Sequence, residues 1–250
     1  MTEFTKQSIL NHLNKLKTYG FNYHENININ INQKVSNFSL PNDLSKIENI
    51  VKNCHLCQNS KTRKNVLFSQ GKQNSNVMFI FDEPSTSEDD TGNFNEGKSG
   101  EMIVKMITNV LKLRLEDVYT TTLVKCKSND NLKYSDYEIC SSYLDKQIQI
   151  VNPKIIVLFG ERTYNFFTKN DDFFKIRGKE FQYENSLVLA TYAPSFLLRN
   201  PSYKKDSYLD ILRVKTIMES WFEIIIYIYC IDFNFYWMYS KKSYWSKIWR

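Results

Sequence analysis

Residues 77–85 read Val77-Met78-Phe79-Ile80-Phe81-Asp82-Glu83-Pro84-Ser85: five apolar side chains in a row, then two carboxylates, a proline and a serine. A run this short and this apolar has no polar face to leave in water, so it predicts a strand buried on both sides. Three further stretches have the same character: Val118–Val124, Ile155–Phe159, which stops at Gly160, and Leu187–Thr191. Helical patterns separate them. Ser99–Leu113 sets Met102, Ile103, Met106, Ile107, Val110 and Leu111 on one face, and Ser135 with Glu138 reads as a capping box opening a helix through Ile150. A short helix follows Gly160 as far as Phe167, and Lys205–Ser220 forms a closing helix. Strands alternating with helices pair in parallel, because a parallel neighbour needs a crossover and right-handed crossovers cover both faces of the sheet. The expected fold is α/β: three layers, α/β/α, around a four-stranded, mainly parallel sheet.

Sheets of this kind bind ligands beyond the carboxyl ends of their strands. Those ends lead into Asp82–Gly100, Lys125–Ser135, Gly160 and Ala193–Arg199. Four loops therefore make up the expected site.

Composition sets the bounds. The chain has 250 residues, 42% of them hydrophobic and 24% charged, as in an ordinary folded domain with one substantial core. Its formal charge of +6 permits contact with nucleic acid without demanding it. An odd number of cysteines, five, and a polar start without a charged-then-apolar leader place the chain in a reducing cytoplasm, with thiols used for metal rather than for disulfides.

Three segments follow: an N-terminal helical extension over 1–50, a domain over 51–220, and an aromatic tail over 221–250 outside the domain. In the extension, Ile9, Leu10, Leu13 and Leu16 predict an amphipathic helix. The Asn/Ile alternation from Asn26 to Asn32 has no assigned role, and Leu44, Ile47, Ile50 and Val51 predict a short helix leading into Cys54. The tail holds all four tryptophans and reads either as a partner-binding extension or as a terminus unrelated to the domain. Trp221–Trp237 has the length of a membrane span, but Glu223, Asp232 and Asn234 interrupt it, so no membrane partner is expected.

Cys54 and Cys57 form a C-x2-C pair, and Cys126 and Cys140 follow at the end of a strand and within a helix. Four thiolates so placed can hold a [4Fe-4S] cluster or a zinc ion, and they can also be buried small hydrophobes. A structural zinc ribbon would normally show a second close pair, which this chain lacks.

With these pieces in order, the chain from about Cys54 to Leu212 resembles the family 4, iron-sulfur, uracil-DNA glycosylases. The resemblance rests on Cys54-His55-Leu56-Cys57 followed by Thr62-Arg63 and Phe68, and on Pro84-Ser85-Thr86-Ser87-Glu88-Asp89-Asp90-Thr91-Gly92 with Gly97 and Gly100. Further matches are Val124-Lys125-Cys126-Lys127, Cys140 before Tyr143-Leu144 and Gln147-Ile148, Pro153-Lys154, Arg177-Gly178, and the stretch Thr191–Pro201. It implies a [4Fe-4S] cluster rather than zinc on Cys54, Cys57, Cys126 and Cys140. It also implies a monomeric repair enzyme that turns uracil, or another damaged base, out of DNA and hydrolyses its bond to the sugar.

Residue by residue, the resemblance puts Asp82 at the position of a water-orienting carboxylate, where the family has glutamate. Phe81 and Ser85 replace glycines of the same motif. The base-stacking phenylalanine matches Asn95, with Phe94 one position early; the asparagine that reads the uracil edge matches Thr122; and the histidine of a His-Pro-Ser motif matches Ala193, ahead of Pro194 and Ser195. A hydroxyl cannot make the paired contact of a carboxamide, and a methyl cannot donate at all. Phosphate contacts are expected from Ser195 and Arg199, with Lys204 and Lys205 just after them, and from Lys125, which clusters with Lys61, Arg63, Lys64 and Lys127 near the cysteines. Two functions follow: a glycosylase with weakened or altered activity, or a catalytically silent iron-sulfur protein that binds DNA.

Overall fold

A computed structural model describes residues 40–130 and 132–232, the last eleven as backbone only. The expected helix over residues 5–18, the Asn26–Asn32 alternation and the tail beyond Asp232 lie outside them. The first helix, α1 (Leu44–Lys52), starts where the Asp43 carboxylate accepts from the Lys46 N–H at 3.1 Å, and it buries Ile47 and Val51. The next elements are β1 (Val77–Phe81), α2 (Thr86–Thr91), α3 (Gly97–Lys105), which widens into a π-helical turn over Met106–Leu111, and β2 (Val118–Thr122). Then come α4 (Tyr134–Val151), β3 (Ile155–Phe159), α5 (Glu161–Thr168), α6 (Phe173–Ile176), β4 (Glu180–Tyr183), β5 (Ser186–Thr191), α7 (Pro194–Arg199) and α8 (Lys204–Asp232).

The sheet has five strands in the order β2-β1-β3-β5-β4. Four are parallel, as the apolar runs require; Val77–Ile80 lie between neighbours on both sides and are fully buried. The fifth, β4, pairs antiparallel with β5 at the edge, and its alternating exposed and half-buried residues explain why no apolar run marks it. Beyond β2, residues 66–70 run antiparallel to residues 120–126 through bridges at Val66–Cys126 and Gln70–Thr120.

Several expected boundaries shift: the strand expected over Val118–Val124 ends at Thr122, and the helix expected from Ser99 begins at Gly97. The helix expected to open on Ser135 and Glu138 begins instead at Tyr134, where the Asp136 carboxylate accepts from the Lys133 N–H at 2.9 Å. The closing helix α8 passes residue 220 without a break and continues to Asp232. The described residues belong to one unit that begins at Leu40, and among them no helix is long and apolar enough to cross a membrane.

The Arg177-Gly178 pair serves the frame. Nη1 of Arg177 lies 2.7 Å from both oxygens of Asp210 on α8, and Asp210 also accepts from the Thr191 hydroxyl at 2.7 Å. A side chain at Gly178, whose φ is +75°, would sit 2.5 Å from Oδ1 of Asp210. Glycine is what lets the corner close on the ion pair.

Candidate active site

The carboxyl ends of β1, β2, β3 and β5 open into a cleft of about 630 Å³. Asp82, Phe94, Asn95, Thr122, Ala193, Ser195 and Arg199 all line it. Phe81 forms part of the wall, its ring stacked on Phe159 with centroids 4.5 Å apart and planes at 19°. Ser85, the other residue in a family glycine position, has φ −70° and caps α2. In this chain that position needs no glycine.

Most of the acidic loop is committed to its own shape. Glu88 accepts from the N–H groups of Ser85 at 2.8 Å and Asn95 at 2.9 Å. Asp89 is buried and accepts from the N–H groups of Lys64 and Asn65. Glu83 pairs with the Lys127 ammonium at 2.8 Å and accepts from the Ser128 N–H at 2.8 Å. Asn95 stands in the left-handed region at φ +65°, and its carboxamide donates to Gln70 at 2.7 Å. A Cβ on Gly100 would fall 1.9 Å from the Asn95 carbonyl carbon, so helix α3 can approach that turn only with glycine there.

Asp82 is different. Its backbone is fixed by the Val124 N–H, which donates to the Asp82 carbonyl at 3.0 Å, and the residue lines the cleft. Oδ1 accepts from the Tyr137 hydroxyl at 2.6 Å, and Oδ2 lies 3.8 Å from Nη1 of Arg162. Burial raises its pKa above the ordinary carboxylate value; the Tyr137 hydrogen bond opposes that, Glu83 adds to it, and Arg162 and Lys127 oppose it. Neither Tyr137 nor Arg162 stood out in the sequence. Arg162 follows Gly160, the loop at the end of β3, and strand-end reasoning applied two residues further would have found it. Tyr137 carries no local signal beyond standing one helical turn before Cys140.

Two recognition positions are poorly equipped. Thr122 is buried at the end of β2, and its hydroxyl has no hydrogen-bond partner among the described residues. Ala193 presents a methyl group at the start of α7, and a side chain at Gly160 would come within 3.1 Å of it. On the cleft rim, Ser195 and Arg199 are exposed on α7. Lys125 is a correction: it is completely buried, so it cannot reach a phosphate. Its ammonium donates to the Thr121 hydroxyl at 2.7 Å, the Thr122 carbonyl at 2.5 Å and Gln147 Oε1 at 2.6 Å, binding β2 to α4. Burial pushes its pKa down to about 7, against the opposing influence of Cys140 and Cys126. Lys127, two residues on, is the lysine at the cleft.

Cys54, Cys57, Cys126 and Cys140 are all free thiols, the first two half-buried and the last two buried. Burial raises Cys126, with Cys57 and Cys54 close enough to raise it further, and Cys140 is pushed up to about 11 mainly by burial, with Cys126 and Cys57 adding to the rise. Arg63 donates to Sγ of Cys126 at 3.0 Å and to the Cys54 carbonyl at 3.0 Å, joining the two halves of the set. Among the described residues, no three or more His, Cys, Asp or Glu side chains are drawn tightly enough to hold one metal ion.

A mainly parallel α/β sheet with an acidic, aromatic-walled cleft at its carboxyl end and a cysteine set beside it defines a narrow structural class. Residues 68–213 match the Uracil DNA glycosylase superfamily, and the chain belongs to that superfamily. It is 32% identical over 189 residues to the type-4 uracil-DNA glycosylase of Saccharolobus solfataricus, covering 71% of this chain and 88% of that one. The type-4 uracil-DNA glycosylase of Sulfurisphaera tokodaii is 32% identical over 185 residues, 70% of this chain and 84% of its own. That of Thermotoga maritima is 32% identical over 157 residues, 61% of this chain and 81% of its own.

Proposed function

We propose that the protein hydrolyses the bond between uracil and deoxyribose in DNA, with Asp82 as the residue that orients the attacking water. The observation that carries this reading is the meeting of Asp82, Phe94, Thr122 and Ser195 in one cleft of a chain that belongs to this superfamily. Water oxygen bonds to C1′, the bond from C1′ to the base nitrogen breaks, and the base leaves with the electron pair. Asp82 holds the water, takes up its proton and offsets positive charge gathering on the sugar. Phe94 and the Phe81–Phe159 pair offer apolar faces to the flipped base, while Ser195 and Arg199 contact phosphate. The protein acts as a monomer in the cytoplasm.

Cys54, Cys57, Cys126 and Cys140 would hold a [4Fe-4S] cluster. Two of those thiols are buried, and Arg63 supplies an N–H to Cys126 of the kind that steadies a cluster thiolate. The cluster supplies no step in this hydrolysis; the cysteines pin the segment before β1 to α4.

The activity is weak by this reading, because the positions matched to an edge-reading carboxamide and a leaving-group donor are Thr122 and Ala193. A second reading, a silent DNA-binding protein, is favoured at the position matched to the base-stacking phenylalanine, where Asn95 offers no aromatic face and its carboxamide donates to Gln70. Single-turnover excision from a uracil-containing single-stranded oligonucleotide separates them, with the unaltered chain measured beside the Thr122→Asn/Ala193→His double variant. Slow release by the unaltered chain and release at least about 10²-fold faster by the double variant is the expected result. Release only by the variant would establish the silent reading, and equal rates would show that Asp82 and the loop backbone suffice.

A further inference from the structure

Of the three loop carboxylates that line the cleft, Asp82, Glu83 and Glu88, Asp82 is the one that accepts no backbone N–H among the described residues, and its strongest contact comes from helix α4. Tyr137 is buried in the first turns of α4 and its ring packs on Phe166, with centroids 5.2 Å apart and planes at 30°. That packing fixes where the hydroxyl can point, and it points at Oδ1 of Asp82. Three residues later on the same helix stands Cys140, so the two side chains share one face.

We propose that Tyr137 is the positioning residue of the active site: its hydroxyl holds Oδ1 of Asp82 and leaves Oδ2, on the Arg162 side, as the oxygen that holds the attacking water. The inference rests on the assignment of Asp82 to the water. An aspartate reaches one methylene less far than the glutamate it replaces, and a carboxylate free to rotate about its own bond would offer either oxygen. Tyr137 removes that freedom at a distance where a hydroxyl to an ionised oxygen makes a strong bond.

The charged and titratable groups around Asp82 are Tyr137 from α4, Arg162 from α5, Lys127 from the segment after β2, and Glu83 from its own loop. Of these, Tyr137 is the largest influence that favours the ionised form. Its hydroxyl lowers the Asp82 value, so removing it raises that value further. Ionised Asp82 is the working form, and the acid limb of the rate must therefore move to higher pH when Tyr137 loses its oxygen.

The test is Tyr137→Phe, which keeps the ring and its packing on Phe166. Two readouts are taken on the full-length protein: the pH profile of single-turnover uracil release, and a carbon-detected NMR titration of the Asp82 carboxyl, assigned by its loss in Asp82→Asn. The expected result is an Asp82 titration displaced to higher pH, an acid limb displaced with it, and a rate about ten- to hundredfold lower at neutral pH, as loss of one hydrogen bond to a charged group implies. An Asp82 titration unmoved by the substitution would overturn the proposal, whatever happened to the rate. A displaced titration in a protein that releases no uracil would uphold the clamp on Asp82 and sink the glycosylase reading instead. A displaced titration with an unmoved acid limb would overturn the role of Asp82 in holding water, and the positioning role with it.

Discussion

The acidic loop and the recognition edge line one cleft, and they are built in opposite ways. In the loop nearly every polar side chain has found its partner: Glu88 on two N–H groups, Asp89 on two more, Glu83 on an ammonium and an N–H. At the edge, Thr122 keeps a buried hydroxyl without a partner among the described residues and Ala193 offers only a methyl. The contrast teaches which carboxylates are available for chemistry. Acids that accept backbone N–H groups maintain a conformation, and withdrawing one to serve a substrate would leave buried donors unpaired. Among the loop carboxylates that line the cleft, Asp82, clamped by a hydroxyl and lying near a guanidinium, is the one left over.

The most direct way to break that division is to compare Asp82→Asn with Glu83→Gln. If Asp82 alone is chemical, Asp82→Asn lowers uracil release by about 10²- to 10⁴-fold in single turnover, with a urea unfolding curve close to the unaltered one. Glu83→Gln weakens the bonds to Lys127 and Ser128, lowering stability by about 1–2 kcal/mol, while release stays near normal. A reversal of the two outcomes would move the catalytic carboxylate by one residue.

The next effect concerns the loop's own anchor. Asp89→Ala leaves the Lys64 and Asn65 N–H groups without their acceptor, and the expected loss is about 2–3 kcal/mol in urea unfolding. The loop docks on Lys64 and Asn65, next to Arg63, so a normal unfolding midpoint would mean that water replaces the carboxylate there and that the loop is held chiefly by Glu88.

How far these features could be read in the sequence depends on where their partners lie. Four strands announced themselves as apolar runs because both of their faces are covered, and the strand-end rule then named the loops that form the cleft. Strand β4 was silent because Glu180-Phe181-Gln182-Tyr183 has one neighbour and one wet side. Lys125 looked like a surface charge beside a cysteine; its burial is decided by Gln147, 22 residues away on α4, and by Thr121. Tyr137 meets Asp82 across 55 residues. Partners on other elements leave no trace in local spacing, and these are the ones that separate a surface charge from a core one and a loose carboxylate from a clamped one.

The smallest effect falls on two neighbouring threonines. Thr121 and Thr122 are both buried on β2, but the Thr121 hydroxyl donates to the Phe68 carbonyl at 2.8 Å and accepts from Lys125, while that of Thr122 has no partner among the described residues. Valine has the same shape as threonine without the hydroxyl. Thr122→Val removes an unsatisfied polar group, so stability should rise by about 1 kcal/mol, whereas Thr121→Val should lower it by about 1–2 kcal/mol. Uracil release should move the other way in the first case, falling as the cleft loses the hydroxyl that a base edge would satisfy. Thr122→Val that stabilises and leaves release unchanged would show that this hydroxyl reads nothing. Base choice would then rest on the shape of the cleft between Phe81 and Phe94 alone.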